Sequence, residues 1–204
     1  MQTTKDGAWG TVAVTLCYLG MVLLAGLAQK AYGSEGQAQG QIKKKAEQIK
    51  VRSRHNFVTH LKALDVKTSE VEAKLQMEWP LSVHLTAKQD GKVVAEGLDL
   101  NADGVTESVQ LIEEGRLVRS FKDRNGDSQF EEWGYWKEGD LHRLERDSNY
   151  DGAVDYWWER KEGVEYRVKV DLDFRGKPTR FAQGDSDGVR KVSDEEGRVR
   201  PLAL

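Results

Sequence analysis

The chain repeats one short acidic segment four times, and successive copies begin 24 residues apart. We number the copies loop 1 to loop 4, and they cover residues 99–107, 123–131, 147–155 and 171–179. At about 3.3 Å per residue, a unit of this length holds the loop and two strands of about seven residues, which leaves no room for a helix. The spacing therefore predicts one β-hairpin per repeat, with an acidic loop between successive hairpins.

Glycine marks the tight turns of these hairpins, because it tolerates the positive φ that such turns require. The repeated turn position holds Gly91, Gly115, Gly139 and Gly163. A second repeated position holds a large apolar residue: Leu85, Val109, Trp133, Trp157 and Phe181. Stacking the hairpins in chain order places this second set on one face. We therefore predict a mainly β fold, an antiparallel meander of hairpins that is open, curled or closed.

The same pattern sets the domain boundaries. Residues 99–204 hold the hairpins with acidic loops, and alternating apolar and polar residues predict earlier hairpins without such loops in 66–98. Residues 42–65 predict one amphipathic basic helix, and the polar, Gly-rich residues 34–41 predict a flexible linker. Residues 1–33 predict a signal peptide or a transmembrane anchor.

The predicted helix has an apolar stripe at steps of three and four residues, with most of its Lys and Arg off that stripe. The stripe consists of Ile42, Ala46, Ile49, Ser53, Phe57, Leu61 and Leu64. Two interpretations remain open. The helix packs on the sheet or on a partner, or its basic face lies near an anionic membrane surface.

No charge interrupts the apolar run of residues 8–28, which is long enough to span a membrane or to serve as a secretory signal. A lipoprotein signal fits less well, because Leu16 precedes Cys17, the one cysteine, where a small residue is expected. Both interpretations place the body of the protein outside the cytosol. The basic residues at 43–54 are an objection, because positively charged flanks favour the cytosolic side.

Three of the acidic loops carry oxygen side chains at positions 1, 3, 5 and 9, which is how a short loop surrounds a hard cation. With the carbonyl oxygen at position 7, the predicted ligands are Asp99, Asn101, Asp103, Val105 and Glu107 in loop 1, Asp123, Asn125, Asp127, Gln129 and Glu131 in loop 2, and Asp147, Asn149, Asp151, Ala153 and Asp155 in loop 3. All are hard oxygens, which favours Ca²⁺ over zinc or copper. Mg²⁺ suits the loops less well, because it demands a strict octahedron.

A metal-free explanation of the loops also exists, because Asp, Asn and Gly favour Asx turns without any ion. It accounts for positions 1, 3 and 6 and accounts poorly for position 9. Position 6 is glycine in loops 1 and 3, whereas Ser128 takes it in loop 2, where a positive φ costs about 1 kcal/mol. Loop 4 has Arg175 at position 5, and its guanidinium would repel a cation, so we expect no site there.

The loops resemble the calcium loop of EF-hand proteins and, more closely, the Asp-rich calcium loops of dockerins, thrombospondin type 3 repeats and integrin-type propellers. The resemblance covers nine residues in each of three repeats. It fails at position 12, where Gln110, Gly134 and Trp158 replace a bidentate glutamate, and in the flanks, which are strands. The resemblance implies calcium binding and does not imply the helix opening of a calcium sensor.

Without that glutamate, we expect an affinity like that of extracellular calcium modules, roughly 10⁻⁴–10⁻³ M. Calcium at about 1 mM would then stabilise the fold by about 0.4–1.4 kcal/mol per site. Cytosolic free calcium would leave such sites empty. The affinity therefore predicts an extracytoplasmic location, in the cell envelope or secreted.

The charge distribution follows the loops. Residues 99–204 carry 18 Lys and Arg against 25 Asp and Glu, which does not fit a nucleic-acid-binding domain. The histidines are scattered and no catalytic set stands out, so we do not expect an enzyme. The sequence predicts a structural or binding repeat protein that Ca²⁺ makes rigid. The alternatives are a carbohydrate-binding module that uses exposed Trp and Tyr, and a membrane-anchored accessory subunit of a complex, held through the basic helix at 42–65. Residues 8–28 are the possible membrane contact, and the partner is a protein or a glycan.

Overall fold

The computed structural model describes residues 35–77, 80–161, 166–185, 188–194 and 198–200. The chain divides into two compact units, residues 1–48 and 49–204. The predicted apolar segment at 8–28 and the turn glycine Gly163 lie outside the described residues. Among the residues that are described, no helix is both long and apolar enough to cross a membrane.

The described residues form one helix and twelve strands. The helix, α1, spans Glu35–Ala63. The strands are β1 (Glu70–Gln76), β2 (Ser82–Gln89), β3 (Lys92–Asp99), β4 (Ser108–Glu113), β5 (Arg116–Lys122), β6 (Glu132–Lys137), β7 (Asp140–Arg146), β8 (Tyr156–Arg160), β9 (Tyr166–Val170), β10 (Arg180–Asp185), β11 (Gly188–Asp194) and β12 (Val199–Arg200). They pair antiparallel in chain order within a single sheet, which confirms the mainly β meander.

Helix α1 begins earlier than the sequence predicts, so the expected linker at 34–41 is wrong from Glu35 onward. Gln and Ala in this stretch are good helix formers, and they outweigh two glycines that each cost about 1 kcal/mol. The helix ends in a Schellman motif. Asp65 has φ 55°, and the amide of Val66 donates a hydrogen bond of 2.9 Å to the carbonyl of Leu61.

The hairpin turns follow the predicted glycine pattern. Gly91, Gly115 and Gly139 have φ between 75° and 89°, and the acidic residue before each of them is also at positive φ. Two consecutive residues at positive φ define the turn type that matches the twist of a hairpin. A bulge follows the same period, because the strand register shifts after Ala87, Leu111 and Tyr135.

The core lies between α1 and one face of the sheet. Phe57 and Leu61 of the helix are almost fully buried against Val83, Leu85, Ala87, Ala95, Val109 and Phe121 of strands β2 to β5. Cross-strand register continues this row through Trp133 to Trp157 and Phe181, which confirms the predicted apolar ladder. The stripe of α1 packs on the sheet from Ile49 onward, which confirms the first of the two interpretations for residues 49–63.

Candidate metal centres

All four acidic loops lie at one end of the sheet. In an antiparallel meander the connections alternate between the two ends, so loops 1 to 4 join β3 to β4, β5 to β6, β7 to β8 and β9 to β10. Neighbouring loops are therefore two strands, or about 10 Å, apart. The tight glycine turns occupy the opposite end.

Loops 1 and 2 each bring three carboxylates together. One oxygen each from Asp99, Asp103 and Glu107 lie within 4.8 Å of one another, and the second group is Asp123, Asp127 and Glu131. These are the carboxylates that the sequence predicts at positions 1, 5 and 9. A single cation could contact three oxygens at this separation, because Ca²⁺ binds oxygens at 2.3–2.6 Å.

The aspartate at position 1 is buried in every loop, and its Oδ2 accepts a hydrogen bond from the backbone amide at position 6. The donors and acceptors are Gly104 to Asp99 (3.0 Å), Ser128 to Asp123 (2.7 Å), Gly152 to Asp147 (2.8 Å) and Gly176 to Asp171 (2.7 Å). Ser128 has φ 71°, as its position in the repeat predicts. The hydrogen bond to the buried aspartate therefore stabilises the conformation of the loop independently of any bound ion.

Positions 3 and 5 form the Asx turns of the metal-free explanation. In loop 1, Asn101 Oδ1 accepts the amide of Asp103 at 2.9 Å, and Asp103 Oδ1 accepts the amide of Val105 at 2.8 Å. Loops 2 and 3 repeat both bonds through Asn125, Asp127 and Gln129, and through Asn149, Asp151 and Ala153. An ion at these positions would have to share or replace those bonds, which agrees with a modest affinity. The carbonyl ligands at position 7 remain a prediction.

The residue at position 9 makes different hydrogen bonds in loop 3 than in loops 1 and 2. Glu107 and Glu131 each use Oε2 to accept the amide at position 2, both at 2.7 Å. In loop 3 the shorter Asp155 accepts the amide of Ser148 at Oδ2, and its Oδ1 accepts the Ser148 hydroxyl at 2.6 Å. Asp147, Asp151 and Asp155 form no third group of converging carboxylates in the described part of the chain. The sequence predicts cation binding in all three loops, with loop 2 weaker or slightly reshaped because of Ser128, whereas the structure distinguishes loop 3 from the other two.

In loop 4 a positively charged side chain of the loop itself lies beside one of its carboxylates. Arg175 Nε lies 3.3 Å from Asp173 Oδ2, and Thr179 takes position 9, where its hydroxyl accepts the amide of Leu172 at 3.0 Å. Within the described residues, loop 4 contributes no group of three metal-binding side chains. The absence of a cation site in loop 4 remains a prediction.

One oxygen distinguishes loop 1 from loops 2 and 3, and loop 4 shares this feature, because Asp171 Oδ1 is also buried without a hydrogen-bond partner. Asp99 is 0% exposed, and its Oδ1 is buried without a hydrogen-bond partner. The equivalent oxygens of Asp123 and Asp147 accept the amides of Gly126 (2.6 Å) and Tyr150 (2.8 Å). Leaving a buried charged oxygen unpaired is unfavourable, so among the position-1 aspartates of loops 1 to 3 Asp99 is the one whose oxygen most needs a ligand.

Three carboxyl groups of loops 1 and 2 have raised pKa values: those of Asp99, Glu107 and Glu131. Burial raises the pKa of Asp99, and the charge of Asp103 adds to it, although hydrogen bonds from Ser53 and Gly104 act in the opposite direction. Burial likewise raises the pKa of Glu107, assisted by its two neighbouring aspartates. The pKa of Glu131 rises for the same reasons. A cation among these groups would relieve both the burial and the repulsion.

Sequence reasoning missed the contacts that α1 makes with the loops. Ser53 and Asn56 hydrogen-bond to loops 1 and 2, and the ring of His60 lies 4.4 Å from that of Phe130 in loop 2. One signal was present, because Ser53 is a polar residue in the apolar stripe of the helix. A buried hydroxyl at a core position needs a partner, and the partner is Asp99.

Comparison with known proteins gives no family. No protein-family model matches the chain, and no curated protein matches it. Four solved chains match, among them one described as "Crystal structure of accessory secretory protein 1,2 and 3 in Streptococcus pneumoniae". That match is 18% identical with a TM-score of 0.36, and it covers 56% of this chain and 22% of the other. At this level of similarity nothing about function is concluded from it.

Proposed function

We propose that loops 1 and 2 bind Ca²⁺ and that the bound ions make the hairpin array rigid. The proposal is carried by loop 1, where three carboxylate oxygens lie within 4.8 Å of one another and the buried Asp99 Oδ1 has no hydrogen-bond partner. Loop 2 supports it with the same set of three carboxylates. Loop 3 would bind more weakly, because Ser148 occupies both oxygens of Asp155.

The chemistry of the two groups favours Ca²⁺ over other cations. Their ligands are carboxylate oxygens, with no thiolate or imidazole among them. The loops are short and already hydrogen-bonded, and Ca²⁺ accepts the irregular geometry that results, whereas Mg²⁺ requires six ligands in a strict octahedron.

The biological role that fits this chemistry is structural. An affinity of roughly 10⁻⁴–10⁻³ M requires the calcium concentrations found outside the cytosol. We therefore propose an extracytoplasmic repeat protein whose sheet presents a rigid surface when its loops are filled.

Isothermal titration calorimetry of the full chain with CaCl₂ and, separately, MgCl₂ tests the proposal. We expect two Ca²⁺ sites with dissociation constants of roughly 10⁻⁴–10⁻³ M and much weaker binding of Mg²⁺. Absence of calcium binding at millimolar concentrations would contradict the proposed function.

A further inference from the structure

Helix α1 holds the carboxylate of the first loop directly. Ser53 is 0% exposed, and its hydroxyl lies 2.7 Å from Asp99 Oδ2 and 3.0 Å from the carbonyl of Ile49. A hydroxyl has one proton, and the shorter contact to a charged oxygen is the stronger of the two. With the amide of Gly104 on the same atom, Oδ2 receives two donors while Oδ1 receives none.

This arrangement fixes which oxygen of Asp99 is available. Among the described residues, no helix hydroxyl hydrogen-bonds to the position-1 aspartate of loop 2 or loop 3, and both oxygens of each aspartate accept loop amides. In loop 1 the helix hydroxyl is a second donor to Oδ2, and Oδ1 is left unpaired. Asp171 of loop 4 divides its donors in the same way, but there both donors to Oδ2 are loop amides. Ser53 therefore acts on a cation at loop 1 through Asp99, without touching the ion itself.

A second helix residue, Asn56, joins loops 1 and 2. Its Oδ1 accepts the amide of Thr106 at 2.8 Å, and its Nδ2 donates to the hydroxyl of Ser128 at 3.1 Å. The helix also packs closely on loop 1, because a Cβ added at Gly104 would lie 2.8 Å from Cβ of Arg52. The conformation of loop 1 and the packing of α1 are therefore set by the same contacts.

We propose that Ser53 is a positioning residue for the cation site of loop 1, and that occupancy of this site and packing of α1 on the sheet stabilise each other. This inference rests on the proposed calcium binding. Any such coupling is reciprocal: if the packed helix raises the affinity of the loop for Ca²⁺, then Ca²⁺ must favour the packed helix by the same factor. Loop 1 is then the tightest site and the one that controls the helix.

The experiment uses the full chain and two measurements. Calcium affinity is measured by calorimetry, and packing of the helix is measured by hydrogen exchange of the amides of residues 53–61, with Ca²⁺ and with a chelator. For the wild type, we expect about 1 mM Ca²⁺ to slow exchange in this segment by roughly 2- to 10-fold, the factor set by a dissociation constant of roughly 10⁻⁴–10⁻³ M.

Three variants separate the possible results. Ser53→Ala should weaken the tighter calcium site by roughly tenfold or more and reduce the effect of Ca²⁺ on helix exchange. Asp103→Asn changes an exposed side chain whose hydrogen bonds stay within loop 1. By weakening loop 1 about tenfold, it should reduce the calcium effect on the helix to about twofold or less while loop 2 still binds. Thr59→Ala is the control, because its hydroxyl bonds only to the carbonyl of His55 on the same helix.

The outcomes distinguish this inference from the proposed function. If the wild type binds no calcium, the proposed function fails and this inference fails with it. If calcium binds but neither Ser53→Ala nor Asp103→Asn alters its effect on helix exchange, only the coupling is overturned. Should Ser53→Ala fail to fold, Ser53→Cys, which keeps the size of the side chain but is a weak donor, tests the role of Ser53. Asp103→Asn still tests the coupling, because it leaves the helix and its contacts in place.

Discussion

The backbone amide of Asp123 donates a hydrogen bond of 2.9 Å to the carbonyl of Glu107, so the first residue of loop 2 is bonded to the last predicted ligand of loop 1. The bond recurs at 2.8 Å from Asp147 to Glu131 and from Asp171 to Asp155. The loops are therefore linked in series along one end of the sheet. An ion that orders one loop also constrains the start of the next, which is the physical basis for a calcium-stiffened array.

Removing the central carboxylate should affect the loops unequally. Asp103→Asn and Asp127→Asn each take away one charge from a converging group, and each should weaken one calcium site by roughly tenfold, or about 1.4 kcal/mol. Asp151→Asn is the matched control, because the carboxylates of loop 3 do not converge in the described structure. Titration calorimetry checks the three variants, and equal losses from all three would refute the distinction between loops.

The helix–sheet core should depend on Phe57. This side chain is 0% exposed, and truncating it in Phe57→Ala should lower the free energy of unfolding by about 3–5 kcal/mol. Val51 on the same helix is 48% exposed, and Val51→Ala should change the free energy of unfolding by less than about 0.5 kcal/mol. Urea denaturation measures both, and similar values for the two variants would contradict the packing described here.

A single methyl group at Gly97 should also disturb this core. A Cβ there would lie 2.6 Å from Cδ2 of the Phe57 ring, which is 0% exposed, so the ring or the strand would have to shift. Gly97→Ala should therefore destabilise the protein by about 1–3 kcal/mol. Gly40→Ala is the control, because its Cβ would meet nothing within 4 Å and alanine favours a helix. A Gly97→Ala protein as stable as the wild type would disprove the close approach.

Two adjacent glutamates should respond to pH in opposite directions in the absence of calcium. Burial and neighbouring aspartates raise the pKa of Glu131, so the folded state binds its proton more tightly than the unfolded state does. Its contribution to stability then falls as pH rises from the ordinary value of 4.5 through the folded pKa. Burial alone would raise the pKa of Glu132 too, but hydrogen bonds from Arg146 and Lys122 outweigh it and lower that pKa. The stability due to Glu132 is therefore present above 4.5 and is lost as pH falls through the folded pKa.

The variants Glu131→Gln and Glu132→Gln check these signs. At neutral pH with chelator, Glu131→Gln should make the protein more stable, because it removes a repelled charge and keeps an acceptor for the amide of Arg124. Glu132→Gln should cost about 1–2 kcal/mol, because Arg146 loses a charged partner at 2.7 Å that is only partly screened by solvent. Urea denaturation between pH 4 and pH 8 measures both, and changes of the same sign would contradict the assignment.

The repeat length made much of the sheet predictable. A strict 24-residue period with glycine at one position and a large apolar residue at another leaves few ways to arrange the strands, and Gly115 and Val109 lie where it places them. The start of α1 was not predictable in this way. Gly36 and Gly40 resemble linker residues, and their helical state depends on the surrounding Gln and Ala.

The site was predictable in type and less so in detail. Spacing alone indicated that Asp99, Asp103 and Glu107 would meet, because the positions in a short loop determine which side chains converge. Spacing did not indicate that the Ser148 hydroxyl would donate a hydrogen bond to Asp155. Nor did it indicate that Ser53 would hydrogen-bond to Asp99, 46 residues away in the sequence. Both contacts depend on side-chain and tertiary geometry, which a repeat pattern does not encode.

Thermal unfolding of the full chain with and without calcium tests the central claim most directly. Circular dichroism would follow the transition with about 1 mM Ca²⁺, with the same concentration of Mg²⁺, and with excess chelator. Two filled sites should stabilise the fold by about 0.8–2.8 kcal/mol in total, which corresponds to a rise of roughly 2–10 °C in Tm with Ca²⁺ and little change with Mg²⁺. The same Tm in calcium and in chelator would contradict the account.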